Sequence, residues 1–127
     1  MAWNDKLYTR ILRWKTMSKT PTPNVRDNIR ATAPKLIQLT EEVIYGDMWE
    51  REELSKRDRS LITLSALIAM GRERQLIGHL NRALDNGVTQ DEIIETITHL
   101  AFYSGFPTAI TAATIAKEVF ADRSDPI

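Results

Sequence analysis

The chain contains no cysteine and only two histidines among its 127 residues. Without cysteine there can be no disulfide, no thiolate nucleophile, no redox-active CxxC pair and no Cys-ligated zinc site. Two histidines also exclude a three-histidine metal site within one chain. The absence of cysteine is typical of cytoplasmic proteins, and we expect that localisation.

The sequence has no excess of charge of either sign and no long apolar run. Lys+Arg and Asp+Glu both number 17, so the formal net charge is zero. Non-specific binding of nucleic acid requires a basic surface, which this balance does not favour. No apolar stretch reaches the roughly 18 residues of a membrane span, and the first residues do not follow the pattern of a secretory signal. We therefore expect neither nucleic acid nor a membrane as partner.

The first 25 residues differ from the rest of the chain. Apolar side chains recur there on one face of a predicted helix: Trp3, Leu7, Ile11 and Trp14. Residues 16–25 then carry two of the five prolines and little apolar mass, which is typical of a linker. The sequence thus predicts an arm and linker at residues 1–25 and a helical domain at 26–127. We expect the arm to dock on its own fold or on a partner subunit. Binding to a membrane surface is the alternative.

The body of the chain has the apolar spacing of helices throughout. Start and stop signals divide it into helices at about residues 33–46, 55–70, 73–85, 89–104 and 106–120. Ser55 is the predicted N-cap of the second of them, and Thr89 with Glu92 forms a capping box before the fourth. Residues 61–70 are apolar almost all round, as in a helix buried in a core or an oligomer. No segment alternates like a strand, so the predicted class is all-α.

Each of the two histidines permits two interpretations. His79 lies near Leu76 at the edge of its helix's apolar face, either as a core-edge hydrogen-bonding group or as a general acid or base. His99 lies on the face of Glu95 and Tyr103, opposite the apolar stripe. That face is either solvated or lines a pocket or a subunit interface.

A cationic cluster follows Ser55 at the start of the second helix. Arg57 and Arg59 lie in its first turn, the unfavourable end of the helix dipole for positive charge. Either neighbouring acidic residues neutralise these cations, or the cluster binds an anion such as a carboxylate. Trp49, shortly before the cluster, is predicted to lie in the core or in a pocket wall.

Three stretches carry a family resemblance. They are RDRSL at 57–61, GHLNRALDNGVTQDEI at 78–93 and HLAFYSGFPTA at 99–109. Together, over about residues 43–120, the chain resembles the carboxymuconolactone decarboxylase family. The resemblance implies a compact all-α bundle of the alkylhydroperoxidase D-like type, with about six helices, assembled as a homo-oligomer, either trimer or hexamer.

The thiol peroxidases of the same superfamily share a Glu, a CxxC pair and a His separated from the second Cys by three residues. Aligned through His79, the two Cys positions fall on Arg72 and Gln75, and the Glu falls near Ser60. Peroxidase chemistry is excluded because the chain has no sulfur nucleophile. The decarboxylase branch needs no thiol, and this chain resembles that branch.

The resemblance implies cofactor-independent decarboxylation of 4-carboxymuconolactone, or of a closely related unsaturated lactone or dicarboxylic acid, in aromatic catabolism. The substrate supplies its own electron sink, so no cofactor or metal is expected. We expect three catalytic residues and three substrate-binding residues. The catalytic residues are His79 as proton donor, with His99 and Tyr103 as oxyanion donors or a second acid. The substrate-binding residues are Arg57, Arg59 and Trp49.

Two other functions remain open on the same residues. One is a different carbon-acid reaction, such as an isomerisation or the opening of another lactone ring. The other is a non-catalytic oligomeric protein that binds a small acid.

Overall fold

The computed structural model describes residues 25–124, and all regular structure in that part of the chain is helical. Six α-helices are present there, together with a π-helical turn at Thr40–Ile44 and a 3-10 turn at Met48–Glu50. The α-helices are α1 Val25–Arg30, α2 Pro34–Leu39, α3 Lys56–Ala69, α4 Glu73–Asp85, α5 Gln90–Ser104 and α6 Phe106–Ser124. The all-α prediction is confirmed, while the predicted arm falls outside the described residues.

The described part of the chain divides into two compact units, at residues 25–48 and 49–124. In the described part of the first unit, Pro34 begins α2, where its fixed φ and missing N–H are tolerated. Arg30 donates hydrogen bonds to Asp27 at 2.9 Å and to Glu41, and the bond from Arg30 lowers the pKa of the Glu41 carboxyl. The helix expected up to residue 46 instead widens into the π-helical turn after Leu39.

The second unit is built from α3 to α6. Helix α3 packs against α4 and α5, and α6 packs against the same two helices. Helices α4 and α5 therefore occupy diagonal positions in this unit. Its core consists mainly of aliphatic and alanine side chains, among them Leu64, Ile68, Leu76, Leu80, Ala83, Ile93, Ile97, Ala112 and Ala116. Burying each of the larger side chains stabilises the fold by roughly 1.5–3 kcal/mol.

The helix ends follow the signals in the sequence. The Ser55 side chain accepts a hydrogen bond from the Asp58 N–H at 3.0 Å at the start of α3. Thr89 and Glu92 form the expected capping box, with each side chain bonded to the other residue's backbone N–H. Gly87, with φ of +97°, follows the end of α4 in a conformation that favours glycine. Local sequence thus fixes where α3, α4 and α5 begin or end.

Helix α3 buries only part of its apolar surface. Leu64 and Ile68 are buried, whereas Ile62 and Met70, the residue that follows the helix, are 58% and 59% exposed. The apolar stretch thus forms a helix, but only one of its faces is covered within the described part of the chain. Among the described residues, no helix is both long enough and apolar enough to span a bilayer.

Candidate functional site

His79 lies on α4 beside the face that this helix buries. Leu76, Leu80 and Ala83 form that buried face, and the imidazole at its edge is half-buried. Its Nδ1 atom is buried and has no hydrogen-bond partner among the described residues. Burial lowers the pKa of His79, and the positive charge of Arg82 lowers it further. A buried polar atom left without a protein partner indicates a place for a ligand or a water molecule.

Arg82 follows His79 by one helical turn and is held by an aromatic ring. Its guanidinium carbon lies 5.5 Å from the centre of the Trp49 ring, and Trp49 is only 9% exposed. Contacts of this kind are worth about 0.5–2 kcal/mol. We call Trp49, His79 and Arg82 the His79 cluster. Sequence reasoning did not select Arg82, although its spacing of three residues from His79 places both on one side of α4.

Arg59 anchors the segment that follows Trp49. Its Nε donates to the Leu54 carbonyl at 3.2 Å, and its Nη2 donates to the Arg51 carbonyl at 3.1 Å. The segment between Trp49 and α3 is thereby fixed to the first turn of α3. Arg59 thus supports the position of Trp49 in the His79 cluster.

Arg57 links the starts of two helices. It forms ion pairs with Glu92 on α5 and with Asp58 at 3.1 Å. Glu92 also accepts the Thr89 N–H at 3.0 Å in the capping box, so one carboxylate serves both contacts. Of the neighbouring acidic residues that the sequence offered as one alternative, Asp58 is bonded to Arg57, whereas Glu92 comes from a distant part of the sequence.

Ser60 occupies the position aligned with the relay Glu of the thiol peroxidases. It is 2% exposed, and its hydroxyl accepts a hydrogen bond from Asn86 Nδ2 at 3.0 Å. The bond joins α3 to the residue that follows α4. At this position the chain thus carries a neutral, satisfied polar pair.

His99 and Tyr103 lie on α5 and stack on each other. Their ring centres are 4.8 Å apart, and Tyr103 is 78% exposed. Because α4 and α5 are diagonal in their unit, the structure does not pack this pair against His79. His99 is exposed in the described part of the chain, which fits either a solvated face or a subunit interface, and its role stays a prediction.

A cavity of about 200 Å³ lies between the end of α3 and the starts of α4 and α6. Its lining is Leu67, Ile68, Gly71, Arg72, Glu73, Leu76, Pro107, Thr108, Thr111 and Ala112. It contains none of the six site residues predicted from the sequence, although Leu76 lies one turn before His79. Within residues 25–124, no three side chains of metal-binding type come together.

Comparisons with known proteins identify the family of the chain. Residues 34–118 match the model of the carboxymuconolactone decarboxylase family. The chain is 44% identical over 78 residues to the 4-carboxymuconolactone decarboxylase of Acinetobacter baylyi, covering 61% of this chain and 58% of that protein. The chain thus spans less than two thirds of that relative's length.

Two further relatives differ in coverage and in name. A nitrosuccinic acid decarboxylase of Metarhizium robertsii is 30% identical over 130 residues, covering 98% of this chain and 91% of that protein. An uncharacterised 15.0 kDa protein of Paracoccus denitrificans is 34% identical over 86 residues, covering 66% of this chain and 64% of that protein. From its match over residues 34–118 and its similarity to two decarboxylases, this chain belongs to the carboxymuconolactone decarboxylase family.

Proposed function

We propose that this protein is a carboxy-lyase that removes CO2 from a small dicarboxylic acid without a cofactor. Its substrate is 4-carboxymuconolactone or a closely related unsaturated lactone or dicarboxylic acid. The observation that carries the proposal is His79, half-buried on α4, with the cationic Arg82 one turn away and with an Nδ1 that has no hydrogen-bond partner within residues 25–124. Family membership and two relatives named as decarboxylases support it.

The two named substrates of those relatives share an electronic feature. In the lactone, an electron pair left after loss of CO2 spreads through the double bond into the lactone carbonyl. In nitrosuccinic acid, the nitro group accepts the electron pair in the same way. The relative named for nitrosuccinic acid covers 98% of this chain, which makes that acid the second candidate substrate.

The reaction needs three contributions from the protein. The bond between carbon and the leaving carboxylate breaks and CO2 departs. The electron pair of that bond stays on the substrate and forms a dienolate. Exclusion of water from the leaving carboxylate favours this step, as do hydrogen-bond donors and cations near the developing oxyanion. A proton is then transferred to carbon from an N–H of His79, which regains a proton from solvent.

The charge of the substrate prepares His79 for this role. In the unliganded protein, burial and the Arg82 charge favour the neutral imidazole because both lower the pKa of His79. A bound dicarboxylate brings negative charge close to both groups and opposes the effect of Arg82. The imidazolium that serves as proton donor is thus favoured once the substrate is bound.

The other site residues predicted from the sequence would have to break existing bonds or act in a neighbouring copy of the chain. A carboxylate or oxyanion on Arg57 or Arg59 would replace bonds that these residues make to Glu92, Asp58 and backbone carbonyls. His99 and Tyr103 project from α5, diagonal to α4, so they serve the site of a neighbouring copy in a trimer or hexamer. We further propose that the protein acts in the cytoplasm, in aromatic catabolism.

The test is incubation with 4-carboxymuconolactone and, separately, with nitrosuccinate, following CO2 release and the decarboxylated product. We expect turnover on one of them and a loss of about 10²–10⁴-fold in kcat for His79→Gln, the usual contribution of a general acid. A folded His79→Gln protein with wild-type turnover would refute the proton-donor role. Binding of the acids without CO2 release would favour a binding protein, and a rearranged product with all its carbon would favour isomerisation or ring opening.

A further inference from the structure

The cavity between the end of α3 and the starts of α4 and α6 has no part in the proposed reaction. None of its lining residues belongs to the His79 cluster or to the site residues selected from the sequence. Its volume of about 200 Å³ lies below the roughly 300–1,000 Å³ of pockets for drug-sized ligands. The cavity therefore suits a smaller organic molecule.

The lining of this cavity combines two charged residues with aliphatic walls. Arg72 and Glu73 are exposed at the start of α4. The aliphatic walls come from three helices and include the buried residues Ile68, Leu76 and Ala112. The charged side chains thus lie on the solvent side of the cavity and the aliphatic ones on its inner side. A ligand with one charged end and an apolar body satisfies both.

Two polar side chains of the lining make no bond to the rest of the described chain. The Arg72 guanidinium has neither a hydrogen bond nor an ion pair there, and it does not pair with the neighbouring Glu73. The Thr111 hydroxyl is also unbonded within this part of the chain, whereas Thr108 and Thr114 on the same helix donate to backbone carbonyls. A ligand can therefore bind these donors without breaking a contact that maintains the fold.

We propose that this cavity binds a small monocarboxylic acid with an apolar body. The carboxylate accepts hydrogen bonds from the planar guanidinium of Arg72, which matches a carboxylate in geometry, and Thr111 offers a further donor from α6. The hydrocarbon part of the acid lies against the aliphatic walls. The Glu73 carboxylate on the same rim repels a second negative charge, so the site favours an acid with only one. The site is separate from His79, and its occupancy does not depend on the proposed function.

A methyl-detected NMR titration of the full-length chain tests both the ligand and its place. The probes are cyclopentanecarboxylate and its primary amide, which has nearly the same shape and no charge. Binding in the cavity should shift the methyl signals of Leu67 on α3 and Ala112 on α6, which both line it. Shifts confined to Leu80 and Ala83, the buried neighbours of His79 on α4, would place the acid at the His79 cluster and overturn the proposal.

Three substitutions at the start of α4 test the charges on the rim. We expect the wild-type protein and Arg74→Gln to bind the acid about three- to tenfold more tightly than the amide, the effect of one partly exposed bond to a charged group. Arg74 is exposed and does not line the cavity, so its substitution is the matched control for net charge. Arg72→Gln should bind the two probes about equally. Glu73→Gln should raise the preference for the acid, because a repulsive charge is removed.

Several results would overturn the assignment. They are a preference for the acid that survives in Arg72→Gln, a weaker preference in Glu73→Gln than in the wild-type protein, and a wild-type protein that does not prefer the acid. Arg72→Gln removes no bond within the described chain, so we expect it to fold, and thermal denaturation checks this. If it does not fold, the comparison of Glu73→Gln with Arg74→Gln still decides. No readout involves CO2 release, so failure of the proposed function would leave this result unaffected.

Discussion

At the scale of single residues, His79 is the polar side chain whose surroundings most affect its charge. Its imidazole is half-buried, its Nδ1 has no partner among the described residues, and Arg82 adds positive charge nearby. Burial and the charge of Arg82 both disfavour the charged form of the ring. An anion bound beside the ring would favour the charged form again.

The lowered pKa of His79 makes stability depend on pH in one direction. Between that lowered pKa and the ordinary value of about 6.5, the unfolded chain binds more protons than the folded one. The free energy of unfolding should therefore reach its full value above about pH 6.5 and fall as the pH is lowered through this window. Urea titrations from pH 7.5 to 5 should show a shallower decline for His79→Gln than for the wild-type protein. Equal slopes would contradict the prediction.

At the scale of elements, Gly46 and Gly78 differ in the space that a side chain would find. A Cβ at Gly46, after the π-helical turn, would lie 2.5 Å from the Glu42 carbonyl oxygen. A Cβ at Gly78, in the middle of α4, would meet nothing within 4 Å among the described atoms. The turn requires glycine, whereas the helix tolerates it at an entropic cost.

Alanine at these two positions should thus have opposite effects. We expect Gly78→Ala to raise the free energy of unfolding by about 0.5–1 kcal/mol through helix propensity. Gly46→Ala should lower it, because the backbone of the turn must move to make room for the methyl group. Chemical denaturation of the two variants beside the wild-type protein checks both signs, and stabilisation by Gly46→Ala would contradict the geometry of the turn.

Two substitutions of Glu92 distinguish the contributions of its two contacts at the start of α5. Glu92→Gln keeps an acceptor for the Thr89 N–H and loses the ion pair with Arg57, whereas Glu92→Ala loses both. Partly exposed ion pairs are worth about 0–1 kcal/mol, and loss of a capping contact costs about 0.5–2 kcal/mol. In thermal denaturation the melting temperature should therefore be highest for the wild-type protein, lower for Glu92→Gln and lowest for Glu92→Ala. A Gln variant as unstable as the Ala variant would show that the ion pair dominates.

At the scale of the whole molecule, apolar side chains remain exposed at the junction of α5 and α6. Phe102 and Phe106 meet edge to face with ring centres 5.3 Å apart, and Phe102 and Ile110 are 77% and 64% exposed. Patches of this kind often mark contacts between protein chains. The proposed homo-oligomer would cover this face with a second copy of the chain.

Placing a charge in this face should weaken that assembly. We expect Phe102→Glu to shift the sedimentation velocity distribution towards the monomer, since the carboxylate would lose water in an apolar interface. Lys117→Gln, at an exposed position on α6, changes the net charge by the same amount and is the control. An unchanged distribution for Phe102→Glu would place the contact between copies elsewhere.

Local patterns in the sequence determined most of the helices. The apolar spacing, the Ser55 cap, the Thr89–Glu92 box and the stop at Gly87 act over a few residues, so they predict α3, α4 and α5 without tertiary information. The turn after Leu39 was not predicted, because a π-helical turn adds one residue without changing the composition. The same local reasoning placed His79 at the edge of a buried face.

The sequence by itself determined the all-α class and the exclusion of thiol chemistry, because composition and short-range periodicity are sufficient for both. Only the tertiary structure decided which side chains meet. Arg57 and Glu92 are 35 residues apart, and Arg82 lies 33 residues beyond the Trp49 ring that it covers. Such contacts depend on how helices pack, which no local spacing encodes. The same packing sets α4 and α5 on a diagonal and so separates His99 and Tyr103 from His79 within one chain.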